Sequence, residues 1–578
     1  MLKSAITALK EAHKRALNLY KLRRGRIADY LFLDLNGPLR EKPLRLPWWH
    51  RYQPAPVRTP VDGHSLDELR ETLKVVSSDP RVKGLIVDVT LLESGWANIQ
   101  SLRSIFDQFK ESDKKLVVYA DDFNILNYYL ASAADLIVMP PGSYWNVLGL
   151  AMSFSYLGEF LETLGLKPEV IAISPYKGAG DTYARTSMSD EQREMMSWIL
   201  DAQYDTLVEG MSQGRNIPIN SIKDLIDKIP YRAEQALEHK LIDEVAYLDQ
   251  LANILSEEPV SLDTKPPRVA PLQQALANLI QPPKTVSSNK IAIVSVEGTI
   301  QYGSSRAIPS PIPLPFIGNQ QAGSHTFAQA IRRAERDPKV SAIVCYINSP
   351  GGSALASDLM WRELERVRRR KPVVAYMGNV AASGGYYIAA GCDHIVAQPL
   401  TLTGSIGVLF MKLSSHDFYE NMYIYKESLQ RGQRARLYDT ESSYTAEEKQ
   451  VIEDTIRDSY VQFKDRVLNG RPLDDEHLEP VAGGRVWLGS QAAKHNLVDE
   501  LGDLHSAIDK AKMLAGIDKD QETSHYWLRP SRKWRLPLPI TAQGVRQPLK
   551  QLQESLSPVT RERLKFIMPF HFKQNSKP

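Results

Sequence analysis

Three short runs in the C-terminal half of this 578-residue chain put chemically useful groups on backbone turns. Ser383 lies in Ala381-Ala382-Ser383-Gly384-Gly385, between small residues just ahead of a helical pattern. A serine at a strand-to-helix turn exposes its oxygen and stands at a helix N-terminus, as a nucleophile requires. Gly384 offers a backbone N–H immediately after it. Asn348-Ser349-Pro350-Gly351-Gly352 follows a strand pattern, and Gly351-Gly352 can turn a second N–H toward the same point. Two convergent N–H groups make an oxyanion hole, worth roughly 10²–10³ in rate per donor. The third run, Thr403-Gly404-Ser405-Ile406-Gly407, carries another serine between glycines.

A serine nucleophile needs a base. Lys177, in Ser174-Pro175-Tyr176-Lys177-Gly178-Ala179-Gly180, serves only as a neutral amine, which requires burial in apolar surroundings. Val170-Ile171-Ala172-Ile173 is available as that shell. Each motif alone has a plain reading: a Gly-Gly turn, a packed small residue, a solvated lysine. Their weight comes from comparing the chain with itself.

The chain is duplicated. Asp79-Pro80-Arg81-Val82 with Leu85-Ile86-Val87 recurs as Asp337-Pro338-Lys339-Val340 with Ile343-Val344-Cys345. Lys115–Tyr119 recurs as Lys371–Ala375, and Tyr128-Tyr129-Leu130-Ala131 as Tyr386-Tyr387-Ile388-Ala389. Where the copies differ, they differ reciprocally. Ser383 falls on Ile125, Ser405 on Val147, and the Pro-Gly-Gly of 350–352 has no counterpart in Thr90–Ser94. Conversely, Lys177 falls on Gln433. One copy keeps a lysine, the other a serine with glycine turns.

The elements that must position these groups are short apolar runs alternating with helical patterns. Ile291–Val296, Ser341–Ile347, Pro372–Met377 and His394–Ala397 read as strands; Thr326–Arg336, Ala354–Arg369 and Gly384–Gly391 read as helices. Strands apolar on both faces imply a mainly parallel sheet covered by helices, an α/β fold present twice. The expected organisation is a basic amphipathic helix over 1–27, an N-terminal repeat over 28–250 that supplies the lysine and a Pro-rich linker over 251–287. A C-terminal repeat over 288–515 supplies the serine, and a basic tail covers 516–578.

Charge is concentrated at the ends. Residues 1–27 hold eight Lys/Arg against one acid, and residues 519–578 hold twelve against four, in a chain of net charge +3. The body is therefore acidic. No run of 18 or more residues is apolar and uncharged, so no transmembrane helix is expected. Leu2, Ile6, Leu9, Ala12 and Ala16 make one apolar stripe among lysines, and Trp527, Trp534, Phe566, Ile567, Met568, Phe570 and Phe572 lie among cations near the C-terminus. Both patterns suit a peripheral contact with an anionic membrane surface rather than nucleic acid. Cys345 and Cys392 are the only cysteines, with no CxxC or Cys/His cluster to suggest a metal. The apolar, Pro-rich stretch Tyr302 to Gly323 is a candidate to line substrate entry or an oligomer contact.

Asn348–Gly352, Ala381–Gly385 and Thr403–Gly407, in this order within a duplicated body, resemble the bacterial signal peptide peptidase A (protease IV) family in its long tandem-repeat form. The resemblance runs from about Tyr30 to Leu514 and implies two Clp-protease/crotonase-like repeats. It also implies a serine peptidase with a Ser–Lys dyad whose halves come from different repeats. Carried onto this sequence, Ser383 is the nucleophile, Lys177 the base, Gly352 and Gly384 the oxyanion donors, and Ser405 orients the amine. It further implies a membrane-associated homo-oligomer, a tetramer, acting on peptides such as cleaved signal peptides, with no metal or other cofactor. Long-form relatives commonly begin with a transmembrane anchor, and none is expected in this sequence. Two alternatives stay open. A crotonase-like acyl-thioester enzyme or inactive scaffold needs neither Ser383 nor Lys177. A Ser-His-Asp hydrolase would use His394, whose neighbour Asp393 points to the opposite strand face, or His325.

Overall fold

A computed structural model describes residues 15–23, 26–43, 63–256, 265–282, 289–307, 320–518, 521, 523–528 and 565–567. The chain forms two compact units. Among the described residues, one is built from those within 15–151 and 203–282, the other from those within 152–202 and 289–567. Residues 152–202, which by sequence belong to the N-terminal repeat, thus pack with the C-terminal one.

The first unit holds a sheet of six strands among the described residues, in the order Glu244–Val245, Leu136–Met139, Lys115–Tyr119, Gly84–Asp88, Tyr30–Asp34, Val269–Pro271. Every pairing is parallel. The runs LIV in Gly84–Asp88 and LVV in Lys115–Tyr119 are buried on both faces, as a helix-covered parallel sheet demands. Leu66–Ser78 and Trp96–Lys110 supply covering helices. The first is started by Ser65, whose hydroxyl accepts from the Glu68 N–H.

The second unit repeats this plan with longer strands. Lys290–Glu297, Val340–Ser349, Val373–Ala382 and His394–Ala397 run parallel, with Ser524–Trp527 on the outer edge. All four predicted strands and all three predicted helices are present; the helices span Ser324–Arg336, Ala354–Arg368 and Gly384–Ala389. Duplication extends to individual hydrogen bonds. Tyr128 donates to the Leu241 carbonyl and Tyr386 to that of Leu497, each at 2.8–2.9 Å. Asp243 accepts from the Ile137 N–H and is paired with Arg215; Asp499 accepts from the Ile395 N–H and is paired with Arg471.

A second sheet in this unit carries the site. Its order is Lys167–Ala172, Leu409–Ser414, Lys565–Ile567, Gly351–Ser353, Thr299–Gln301, Gln320–Gly323, Arg306–Ala307. The antiparallel pair Lys167–Ala172 and Leu409–Ser414 ties the lysine-bearing segment to the C-terminal repeat through six residue pairs.

Some expectations fall differently. Val269–Pro271, inside the Pro-rich stretch, is a sheet edge strand followed by a short helix, Leu272–Ala275. Trp527, read as an interfacial aromatic, sits on the Ser524–Trp527 edge strand, its ring 5.5 Å from that of Tyr346. It packs there because the repeat continues one strand beyond residue 515. Residues 15–23 are helical, whereas Leu2, Ile6, Leu9 and Ala12 lie outside the described residues, as do Trp534, Met568, Phe570, Phe572 and residues 308–319. Among the described residues no helix is long and apolar enough to cross a membrane.

Candidate active site

Ser383 occupies the corner between Val373–Ala382 and the helix Gly384–Ala389, with φ +55° and ψ −115°. A non-glycine residue in this region is strained, and such strain persists only where the surroundings enforce it. Here the Ser383 N–H is held by the Gly404 carbonyl at 2.8 Å, and its own carbonyl accepts the Tyr387 N–H at 2.8 Å to start the helix. The side chain is left to face Lys177.

Lys177 reaches the same point from the loop after Lys167–Ala172. Ile173 N–H bonds the Val408 carbonyl at 3.0 Å, and Lys177 N–H closes a turn onto Ser174 at 3.1 Å. The Ser174 hydroxyl bonds the Gly483 carbonyl. The amine then lies 2.8 Å from Ser383 Oγ, 2.8 Å from the Ser405 carbonyl oxygen and 2.9 Å from Ser405 Oγ. Lys177, Ser383 and Ser405 are all fully buried. Burial alone pushes the Lys177 amine well below the usual lysine range, and among the described residues no carboxylate opposes it.

Gly352 and Gly384 meet beside Ser383. A Cβ on Gly384 would stand 3.3 Å from the Gly352 nitrogen. Gly352 has φ +156°, and a Cβ there would fall 2.1 Å from the Ile300 carbonyl oxygen, so no side chain fits. The Gly351 N–H is occupied by Ser349 Oγ at 3.1 Å. The Gly384 N–H, first in its helix, has no intrahelical acceptor.

Three residues that the sequence reading passed over, Gly483, Gly484 and Arg485, complete the enclosure. The Arg485 carbonyl accepts the Ser405 N–H at 2.6 Å, and the Gly484 N–H bonds the Ile406 carbonyl at 2.8 Å. Gly483 receives Ser174, as above. Arg485 stacks over Tyr176 at 3.9 Å, beginning a column through Tyr176, Trp198, Trp487 and His495; Trp198 and Trp487 are 4.8 Å apart and within 9° of parallel. The signal was available: Gly483-Gly484 falls on Asp227-Lys228 of the first repeat, where there is no glycine.

The histidine alternatives find other partners. His394 lies 3.1 Å from Glu500, and His325 packs its ring on Tyr302 at 4.8 Å. Cys345 and Cys392 are buried free thiols. Among the described residues, one group with metal-ligand chemistry, His416, Asp417 and Glu420, is exposed on the helix His416–Asn421.

Peptidase family S49 matches the chain twice, over residues 108–260 and 365–518. The chain belongs to peptidase family S49. It is a serine peptidase of the long, two-repeat form of the signal peptide peptidase A family. The first S49 match contains Lys177, the second contains Ser383, Ser405 and Gly484, and Gly352 lies between them. The chloroplastic serine protease SPPA of Arabidopsis thaliana is 34% identical over 475 residues, covering 81% of this chain and 68% of that protein. Protease 4 of Haemophilus influenzae is 30% identical, covering 85% of this chain and 82% of its own length. Protease 4 of Salmonella typhi is 29% identical, with 87% and 80% covered.

Proposed function

We propose that this S49 peptidase cleaves apolar peptides, spent signal peptides among them, with Ser383 as nucleophile and Lys177 as general base. The observation that carries this reading is the contact of 2.8 Å between a fully buried lysine amine and a fully buried serine hydroxyl. A neutral amine has two N–H donors and one lone pair. Two partners, the Ser405 carbonyl and Ser405 Oγ, accept the N–H groups. The lone pair is left for the Ser383 O–H.

The amine takes the Ser383 proton as Oγ attacks the scissile carbonyl. The resulting oxyanion is met by the Gly352 and Gly384 N–H groups. The ammonium returns its proton to the departing amine, leaving an acyl-enzyme. Water, deprotonated by the same amine, then attacks the ester, and collapse of the second tetrahedral intermediate releases the acid and restores Ser383. Ser405 is a positioning residue that aims the amine.

The basic ends support a peripheral contact with an anionic membrane. Self-association is supported by Tyr423, Tyr425 and Leu429, large apolar side chains left exposed within seven residues of one another. The assembly we propose, following the resemblance, is a homotetramer.

The test compares the full chain with Ser383→Ala and Lys177→Ala on a quenched apolar peptide and on casein between about pH 6 and 10, with circular dichroism to confirm folding. Loss of turnover in both variants is expected. Full activity in Lys177→Ala would remove the lysine from the mechanism. A wild type inert on every peptide would remove the peptidase reading of this site.

A further inference from the structure

The strand Lys565–Ile567 stands where a peptide would have to lie. It pairs antiparallel with Gly351–Ser353, with Phe566 opposite Gly352, and on its other side Lys565 lies opposite Leu409. It also packs against the helix Gly384–Ala389, whose first residue follows Ser383. Leu409 is paired in turn with Ala172, at the end of the strand that leads to Lys177. One three-residue segment is thus bordered by the strand carrying Gly352, the helix behind Ser383 and the sheet that holds the lysine.

Take that segment away and the edge Gly351–Ser353 faces the Leu409 end of the strand Leu409–Ser414 across a gap of two strand spacings, roughly 10 Å. Each edge shows a row of backbone N–H and C=O groups. Such a slot admits a single extended chain, bound mainly through main-chain hydrogen bonds and therefore tolerant of sequence. The segment's own sequence, Leu564-Lys565-Phe566-Ile567-Met568, is largely apolar. That is the substrate class proposed above.

We infer that the C-terminal segment around 565–567 is a tethered competitor, occupying in cis the slot between Gly351–Ser353 and Leu409–Ser414 that an extended peptide enters. The inference rests on Ser383 being the nucleophile. Substrate and segment need the same backbone partners and exclude one another. Tethering presents the segment at an effective concentration of order millimolar, so a strand of Kd ~0.1 mM would raise the apparent KM about tenfold. The kcat of the liberated site is unaffected.

Two variants test this beside the full-length wild type and Ser383→Ala. The first ends at Leu528, which keeps the edge strand Ser524–Trp527. The second is the full chain with Phe566→Pro and Ile567→Pro, removing two N–H groups without shortening the protein. Both are expected to lower KM several-fold at unchanged kcat. A synthetic peptide of residues 560–572 should inhibit the shortened enzyme competitively. An unchanged KM in the double proline variant, or no inhibition by the peptide, overturns the inference while leaving the Ser383 reading intact. Inhibition that grows with enzyme concentration assigns the segment to a second copy and overturns the cis arrangement. If Ser383→Ala keeps full turnover, it is the catalytic reading that fails.

Discussion

Gly484 lies directly on the backbone of Lys177: a Cβ added to Gly484 would stand 2.7 Å from the nitrogen, Cα and Cβ of the lysine. With φ +90° as well, this position accepts no side chain without displacing the amine. Gly484→Ala is expected to lower kcat about 10²-fold, the usual effect of misplacing a reacting group by ~1 Å. KM should change little, because Gly484 does not border the strand slot. Steady-state kinetics alongside a melting curve separate this from simple unfolding.

With Lys177 as the proposed base, the rate should rise with pH. Only the neutral amine can accept the Ser383 proton, so activity is lost as pH falls through the lowered Lys177 value. The midpoint of kcat/KM against pH is expected well below the ~10.4 of an ordinary lysine. A midpoint at or above that value would contradict the buried, neutral state.

Ser405→Ala removes one of the two acceptors of the amine and keeps the carbonyl. An acceptor stabilises an ammonium more than an amine, so its loss moves the pH midpoint lower still. The plateau rate should fall roughly tenfold through looser aim. A fall in rate with no movement of the midpoint would indicate a purely structural serine.

Lys177→Met should abolish turnover yet stabilise the fold. In the native state the amine is held neutral, whereas in the unfolded chain it titrates near 10.4. Between the lowered native value and ~10.4 the unfolded state binds more protons, so this site makes stability rise with pH. The penalty is complete below the native value. Methionine carries no such penalty, and each 1 kcal/mol recovered should lift Tm by about 2–4 °C at neutral pH. The gain should shrink toward pH 10, which calorimetry at two pH values would read.

The aromatic column gives a separable effect. Trp487→Ala removes the ring stacked between Trp198 and His495, with an expected cost of about 1–3 kcal/mol for a half-buried tryptophan. Because Tyr176 at the head of the column adjoins Lys177, activity should fall further than Tm alone explains. Trp487→Phe, which restores a stacking face, should recover most of it.

Much of this was legible from residue patterns. Strands such as Ser341–Ile347 are apolar on both faces and need no tertiary information. Ser383, Lys177 and Ser405 stood out because each is missing from the opposite repeat, and the structure brings all three within hydrogen-bonding reach. What escaped notice depends on approach rather than chemistry. Gly483-Gly484 looks like any loop until the lysine backbone is seen to rest on it. Val269–Pro271 and Lys565–Ile567 are three-residue strands, too short for any alternation, and exist only because a neighbouring edge is open to them.

The enclosure of Lys177 also sets an order of events during synthesis. Ser405 at the amine, Gly407 beside the side-chain stem and Gly484 on the backbone enclose Lys177, and all follow it by more than 200 residues. Until they arrive the lysine is an ordinary solvated cation, protonated at neutral pH and useless as a base. With Lys177 as the base proposed above, a half-made chain therefore cannot attack its neighbours or itself. The peptidase becomes armed only as its second repeat closes over the product of its first.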